Sequence, residues 1–194
     1  RHYYNSCSHP DSPAIRDANP VVLLYPGVGM FTFAKDKQTA RVAAEFYINA
    51  INVMRGAEAV SEYVALPRQE AFDIEYWLLE EAKLQRMPKP KALSGKIALV
   101  TGSAGGIGKA IAKKFAEEGC SIVLCDNDAE RLQGAEDDFR KSFGKDSFAS
   151  ALCDVTNKNQ IDEALKIACL AFGGVDIVVN NAGISISKPL LEHS

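Results

Sequence analysis

The sequence lacks any long apolar run, any excess of basic residues and any CxxC pair. Its 194 residues include 22 Lys and Arg against 25 Asp and Glu, which gives a formal net charge of −3. A bilayer span takes about 18 consecutive apolar residues, and a nucleic-acid surface takes a basic stripe. We therefore expect neither a membrane nor a nucleic acid as a partner.

Signs of export are also lacking. No signal peptide is visible, and the missing initial Met leads us to expect a chain cut from a longer one. Of the five cysteines, Cys125 and Cys153 fall in apolar runs typical of strands. This favours reduced, buried thiols, so we expect a cytoplasmic protein.

What the sequence does have is an ordinary globular composition, with 47% hydrophobic and 24% charged residues. Prolines, lysines and small residues gather in MPKPKALSG (87–95), which predicts an exposed linker. We expect one structural piece before it, over 1–86, and a second after it, over 96–194.

The first piece predicts a few short strands and helices, an α+β arrangement. VVLLY (21–25) is typical of a buried strand and MFTFA (30–34) of a second strand. Asp36 is a suitable N-cap for a helix that ends near Gly56. A further helix is expected over 70–85. Its expected apolar face consists of Ile74, Trp77, Leu78 and Ala82.

The second piece alternates strand and helix. Strands are expected at 96–101, 121–125, 147–152 and 175–180. Their near-continuous apolar character predicts parallel pairing through βαβ crossovers. The fold class is therefore α/β, the N-terminal half of a Rossmann-type doubly wound parallel sheet. Expected apolar helix faces are Ile107, Ala110, Ile111 and Phe115, and later Ile161, Ala164, Leu165, Ala168 and Phe172.

A glycine-rich turn, TGSAGGIG (101–108), joins the first of these strands to its helix. Glycines let a pyrophosphate approach the backbone, and the helix N-terminus supplies free N–H groups. Gly108 would let the helix pack tightly against the strand. A nucleoside triphosphate loop fits less well, because Ser103 stands where its first Gly is needed and Ala110 where its Ser or Thr is needed.

An acid, Asp126, ends the second strand of this piece. A carboxylate there can accept both ribose hydroxyls of an adenosine and repel a 2′-phosphate. The alternatives are a solvated side chain or a helix cap, and Asp128 fits the cap better. Because Asn127 follows Asp126 and the turn holds no basic residue, NAD should be preferred over NADP by about 2–4 kcal/mol.

Together with Asp154-Val155 and NNAG (180–183), these motifs make residues 96–194 resemble the classical short-chain dehydrogenases. The resemblance implies NAD as cofactor, and hydride transfer between it and an alcohol or carbonyl carbon. It implies that the cofactor is bound by Gly102, Ser103, Gly106, Ile107, Gly108, Asp126, Asp154, Val155, Asn181, Ala182 and Gly183.

The catalytic Ser, Tyr and Lys of that family come after the fourth strand and its following helix. All six tyrosines here lie at or before Tyr76, so we predict no catalytic residue within this sequence. The alternative to an enzyme is a non-catalytic NAD-binding module.

The first piece resembles the end of a class II aldolase domain, on residues 26–60 followed by EAFDIEYWLLEEAKL (70–84). The joined pieces resemble the bifunctional rhamnulose-1-phosphate aldolase/dehydrogenase proteins. That resemblance implies cleavage of a sugar phosphate and NAD-dependent oxidation of the lactaldehyde released. A single-function dehydrogenase with an unrelated N-terminal extension is the alternative.

A metal is not predicted. Class II aldolases carry a zinc-binding His-Gly pair where this sequence has Pro26-Gly27, and proline cannot ligate zinc. His2 and His9 lie nearby in expected loops, where a histidine is more often solvated than metal-bound. The expected partners are a small-molecule substrate and further copies of the same chain.

Overall fold

The computed structural model describes residues 1–184 and divides into two compact units. Unit 1 comprises Arg1–Phe33 and Ala40–Lys89, and unit 2 comprises Ala34–Thr39 and the chain from Pro90 onward. The end of the predicted 96–194 piece, residues 185–194, lies outside the described residues.

The predicted linker does not stay free along its whole length. The Leu93 N–H donates to the Glu118 carbonyl at 3.0 Å, and the Leu93 side chain packs against the core of unit 2. Lys91 Nζ also donates to the Glu117 carbonyl at 2.7 Å. Residues 90–95 are therefore held by unit 2.

Before Lys89 the chain forms four helices and one hairpin. The helices are α1 His2–Cys7, α2 Lys37–Val60, α3 Arg68–Glu75 and α4 Leu78–Gln85. Strands β1 Val22–Tyr25 and β2 Gly29–Thr32 pair antiparallel. The prediction of a buried strand is wrong here, because Leu23, Leu24 and Tyr25 are exposed. A two-stranded ribbon has no second layer of its own to cover it.

Helix α2 begins as predicted but ends later. The Thr39 N–H donates to Asp36 Oδ1 at 2.7 Å, which confirms the cap. The helix continues through Gly56 to Val60, because a glycine inside a helix costs only about 1 kcal/mol. No helix within residues 1–184 is long and apolar enough to cross a membrane.

The single helix predicted over 70–85 is wrong. The chain breaks at Tyr76 and Trp77 and restarts with Trp77 in an extended conformation. The rings of Phe72 and Tyr76 stack with centroids 4.5 Å apart and contact Tyr4. This aromatic cluster is the buried part of the region, whereas Ile74, Trp77 and Leu78 are exposed.

Unit 2 follows the predicted alternation. Its elements are β3 Ile97–Thr101, α5 Gly106–Glu117, β4 Ser121–Asp126, α6 Ala129–Phe143, β5 Phe148–Leu152, α7 Lys158–Phe172 and β6 Ile177–Val179. The strands are all parallel, in the order β5-β4-β3-β6. The chain thus moves outward from β3 on one side and returns to its other side, as in a doubly wound sheet.

Two core layers cover the two faces of this sheet. One layer joins β3 to β5 with α5 and α6; its largest buried side chains include Phe139, Ile122 and Leu124. The other packs α7 through Ala164 and Ala168 against the opposite face. Helices on both faces of a parallel sheet confirm the predicted Rossmann-type architecture.

The predicted helix faces are partly wrong. Helix α5 buries Gly108, Ala112 and Ala116, while Ile107 is 74% exposed. Small residues prevail because they let the helix backbone approach the sheet closely. In α7 the predicted alanines and Phe172 pack against the core, whereas Ile161 and Leu165 remain 37% and 39% exposed.

Candidate cofactor site

Several predicted site residues meet in one pocket at the carboxyl ends of the parallel strands, beside the point where the strand order reverses between β3 and β6. This is where open α/β sheets bind ligands. The pocket has a volume of about 480 Å³. It is lined by Gly102, Gly105, Asp126, Asn127, Arg131, Cys153, Asp154, Val155, Thr156, Asn181, Ala182, Gly183 and Ile184.

Two glycines of the turn are required by close contacts. Gly102 has φ +63°, and a Cβ there would lie 2.9 Å from Asn181 Nδ2. At Gly108 a Cβ would lie 2.1 Å from the Gly102 carbonyl oxygen. Any side chain at Gly108 would therefore separate the helix from the turn, which gives the residue the packing role predicted for it.

The turn also presents unused donors. The N–H groups of Gly106, Ile107 and Gly108 have no hydrogen-bond partner among residues 1–184. They begin α5, where the helix dipole is positive. A Cβ at Gly105 or Gly106 would meet nothing within 4 Å. Open space and free amides at a helix N-terminus suit a pyrophosphate, so the residues fit this part of a dinucleotide.

A hydrogen-bond network joins this turn to the NNAG segment. Thr101 Oγ1 accepts from the N–H groups of Asn181 and Ala182, each at 3.0 Å, and donates to the Val179 carbonyl at 3.3 Å. Asn181 Nδ2 donates to the carbonyls of Thr101 and Gly102 at 3.0 and 3.2 Å. The network fixes the spacing between two pocket walls that are distant in sequence.

Asp126 is anchored by backbone groups. Its Oδ2 accepts from the Ala104 N–H at 3.0 Å, and its Oδ1 accepts from the Asp128 N–H at 3.1 Å. Asp128 itself caps α6, because its Oδ1 accepts from the Arg131 N–H at 3.0 Å. The separate roles predicted for the two acids are therefore geometrically compatible, with Asp126 on the pocket wall and Asp128 as the cap.

Asp154 also lines the pocket, where it is held by Thr156, a residue that was not predicted from the sequence. Its Oδ1 accepts from both the N–H and the hydroxyl of Thr156, at 2.9 and 2.7 Å. These hydrogen bonds lower the pKa of the Asp154 carboxyl. The Asp154 N–H donates to Gln160 Oε1 at 2.7 Å. The acid is thus held ionised, and its D-x-T spacing was a detectable sign of this turn.

The pocket lining includes a buried thiol. Cys153 lines the pocket, and Cys125 belongs to the same buried cluster as Cys153. Burial raises the pKa of the Cys125 thiol to about 12 and also raises that of Cys153. Both remain protonated at neutral pH and supply no thiolate.

The remaining predicted residues lie outside the pocket lining. Ser103 is fully buried, and its N–H and hydroxyl both donate to the Cys125 carbonyl, at 3.0 and 3.2 Å. Gly106, Ile107 and Gly108 lie at the start of α5, on the turn itself. Sequence reasoning missed Arg131, which lines the pocket from the first turn of α6.

A parallel doubly wound sheet with a glycine turn, a strand-end acid and free helix N-terminal amides defines a dinucleotide-binding fold. Residues 96–194 match the family model for short chain dehydrogenase, and residues 1–84 match the model for aldolase class II, second domain. The chain belongs to the short-chain dehydrogenase family, and an aldolase class II second domain precedes that region.

Known proteins agree with this assignment. The chain is 38% identical over 191 residues to YuxG, an uncharacterized oxidoreductase of Bacillus subtilis, which covers 98% of this chain and 28% of that protein. An uncharacterized oxidoreductase of Staphylococcus aureus is 43% identical over 101 residues, 52% of this chain and 42% of that protein. The chain thus spans less than half the length of either relative.

Among solved structures, L-sorbose reductase from Gluconobacter frateurii, complexed with NADPH and L-sorbose, is 37% identical with a TM-score of 0.50. The match covers 55% of this chain and 40% of that one. It supports the Rossmann-type fold of unit 2.

Proposed function

We propose that the protein is an NAD-dependent oxidoreductase that transfers a hydride between NAD and a small alcohol or aldehyde. The observation that carries this proposal is the convergence of Gly102, Asp126, Asp154 and Asn181 on one pocket beside a turn with free amides. In it, the turn holds the pyrophosphate, Asp126 the adenosine ribose and Asp154 the adenine edge. When bound, the nicotinamide supplies the hydride chemistry.

The substrate is proposed to be lactaldehyde, within a bifunctional sugar-phosphate aldolase/dehydrogenase. Support comes from the aldolase class II second domain that directly precedes the dehydrogenase region. An aldolase releases an aldehyde, which is a substrate class for a dehydrogenase. The same match speaks against an unrelated N-terminal extension. We also propose a cytoplasmic location. The five free cysteines support it, because a reducing compartment keeps thiols from forming disulfides.

The test is binding first and turnover second, on the full-length protein. NAD and NADP are titrated by calorimetry, and NADH formation is then followed with lactaldehyde and with other small alcohols and aldehydes. We expect tighter NAD binding and turnover of lactaldehyde. Equal affinity or tighter NADP binding would contradict the NAD preference. Binding without turnover of any substrate would favour the non-catalytic module.

Two further measurements address the aldolase activity and self-association. Rhamnulose 1-phosphate cleavage is followed by the dihydroxyacetone phosphate released, with and without a zinc chelator. Light scattering gives the mass in solution, where we expect more than one copy. A monomer at micromolar concentration would refute the oligomer, and absence of cleavage would refute the bifunctional assignment.

A further inference from the structure

Arg131 is the one basic residue that lines the pocket within the described part of the chain, and it contacts Asp128, two residues beyond Asp126. The expectation of NAD preference depends on the absence of a basic residue at Asn127 and in the glycine turn. Arg131 was not considered there because it lies five positions beyond Asp126. The first turn of α6 nevertheless places it on the lining of the same pocket.

The guanidinium is only partly engaged. Arg131 Nε contacts Asp128 Oδ2 at 3.3 Å, and the side chain is 73% exposed. Its two terminal nitrogens have no partner among residues 1–184. A guanidinium presents its donors in a planar fork that matches phosphate oxygens. The group is therefore available for a phosphate at the pocket rim.

The negative charge of Asp126, which should repel such a phosphate, is partly offset by backbone dipoles. Both oxygens of Asp126 accept a backbone N–H, from Ala104 and from Asp128. These dipoles oppose the negative charge of the carboxylate. The neighbouring acid, Asp128, competes for Arg131 and so limits its pull on an anion.

We propose that Arg131 binds the 2′-phosphate of NADP beside Asp126, so that the protein accepts NADP as a second, weaker cofactor. The Asp128 carboxylate competes with this phosphate for Arg131. This inference depends on the proposed function, since it assumes that the pocket binds a dinucleotide. A preference of 2–4 kcal/mol for NAD corresponds to roughly 30- to 1,000-fold. With Arg131 in place we expect the preference to fall to about 3- to 100-fold, because a charge-assisted hydrogen bond recovers about one factor of ten.

The test compares the affinities of NAD and NADP in the full-length protein and its variants. Arg131→Ala should weaken NADP binding about 10-fold and change NAD binding by less than about twofold. Arg131→Lys should retain part of the NADP affinity. The matched control is Arg140→Ala in the last turn of the same helix, where the arginine pairs with Asp137 at 3.1 Å. It should change neither affinity.

Asp128→Asn supplies an independent arm. Asn caps helices as well as Asp does, so the fold is kept while the competitor of Arg131 loses its charge. NADP binding should strengthen about 3- to 10-fold, and most of this gain should vanish when Arg131→Ala is added. If Asp128→Asn strengthens NADP binding equally with and without Arg131→Ala, Asp128 does not compete for Arg131.

The outcomes separate the two proposals. If the wild-type protein binds neither cofactor, the proposed function fails and the inference falls with it. If it binds NAD and Arg131→Ala leaves NADP affinity unchanged, or weakens both cofactors equally, only the role of Arg131 is overturned. Circular dichroism of each variant, with retained NAD binding, shows that the pocket is still folded.

Discussion

Replacement of Gly108 by Ala tests the packing of the glycine turn most directly. The new Cβ would lie 2.1 Å from the Gly102 carbonyl oxygen and 2.5 Å from Asn181 Nδ2. The first of these distances is more than 1 Å short of the 3.4 Å at which ordinary contact begins. The atom it meets is backbone, so a side-chain rotation cannot relieve the clash. Helix α5 must move away from the turn.

The expected cost has two parts. Overpacking of this kind costs about 1–3 kcal/mol. The displacement also strains the Asn181 Nδ2 bonds to Thr101 and Gly102, each worth about 1 kcal/mol. We expect unit 2 to lose about 2–5 kcal/mol of stability, together with most of its cofactor affinity.

The assay must report on unit 2, and tryptophan fluorescence does not, because the one tryptophan, Trp77, lies in unit 1. The denaturant-dependent labelling of Cys120 and Cys125 does, because both thiols are buried in the core of unit 2. Hydrogen exchange over β3 and α5 adds local detail. Cofactor affinity is measured on the same samples.

The matched control is Gly134→Ala, in the interior of α6, where a Cβ meets nothing within 4 Å. It should stabilise by about 0.5–1 kcal/mol, as helical Gly to Ala changes do. If Gly108→Ala behaves like this control and keeps its NAD affinity, the reasoning about close packing is refuted.

Thr101, Gly106 and the buried thiols of unit 2 give three further tests. Thr101→Val should cost about 2–4 kcal/mol, because the Ala182 N–H loses its partner, the Asn181 N–H keeps only the Val179 carbonyl, and the hydrogen bond that the hydroxyl donates to that carbonyl is lost. Thr101→Ser should keep most of the stability, and equal losses in denaturation would contradict the network. Gly106→Val should abolish NAD binding, because the branched side chain would occupy the path of the pyrophosphate. The harm to folding should be smaller, because a Cβ at Gly106 meets nothing within 4 Å and the cost is limited to the backbone strain at φ +46°. Native-like circular dichroism with unchanged affinity would refute the role of the turn. Burial raises the pKa of the Cys120 and Cys125 thiols from 9.0 to about 11 and about 12. Because the folded-state pKa values are raised, this stabilising contribution is complete below pH 9 and is lost as the pH rises through 11. Iodoacetamide at pH 8 should therefore label the exposed Cys169 and spare Cys120, and unfolding midpoints that stay constant from pH 8 to 11 would contradict the sign.

The residues that were predicted best are those whose partners are near in sequence. The Asp128 and Asp36 caps each satisfy an N–H only three residues away. Local backbone geometry of this kind restricts the residue type directly, so it can be predicted from the sequence.

Helix faces were predicted less well. A periodic pattern identifies apolar residues on one side of a helix, but it does not distinguish a large side chain from the small one that permits close approach. Helix α5 buries Ala112 and Ala116 and leaves Ile107 at its surface. The break at Tyr76 likewise depends on ring contacts with α1, more than 60 residues earlier in the chain.

The alternation of strands and helices, the glycine turn and the acids at the strand ends could all be predicted from the sequence, because these features depend on backbone geometry and on residues close along the chain. The contact of Thr101 with Asn181 across 80 residues and the pocket that Arg131 shares with Asp126 depend on the folded chain. Parallel strand order brings distant segments to one edge of the sheet, and no local pattern records which side chains meet there.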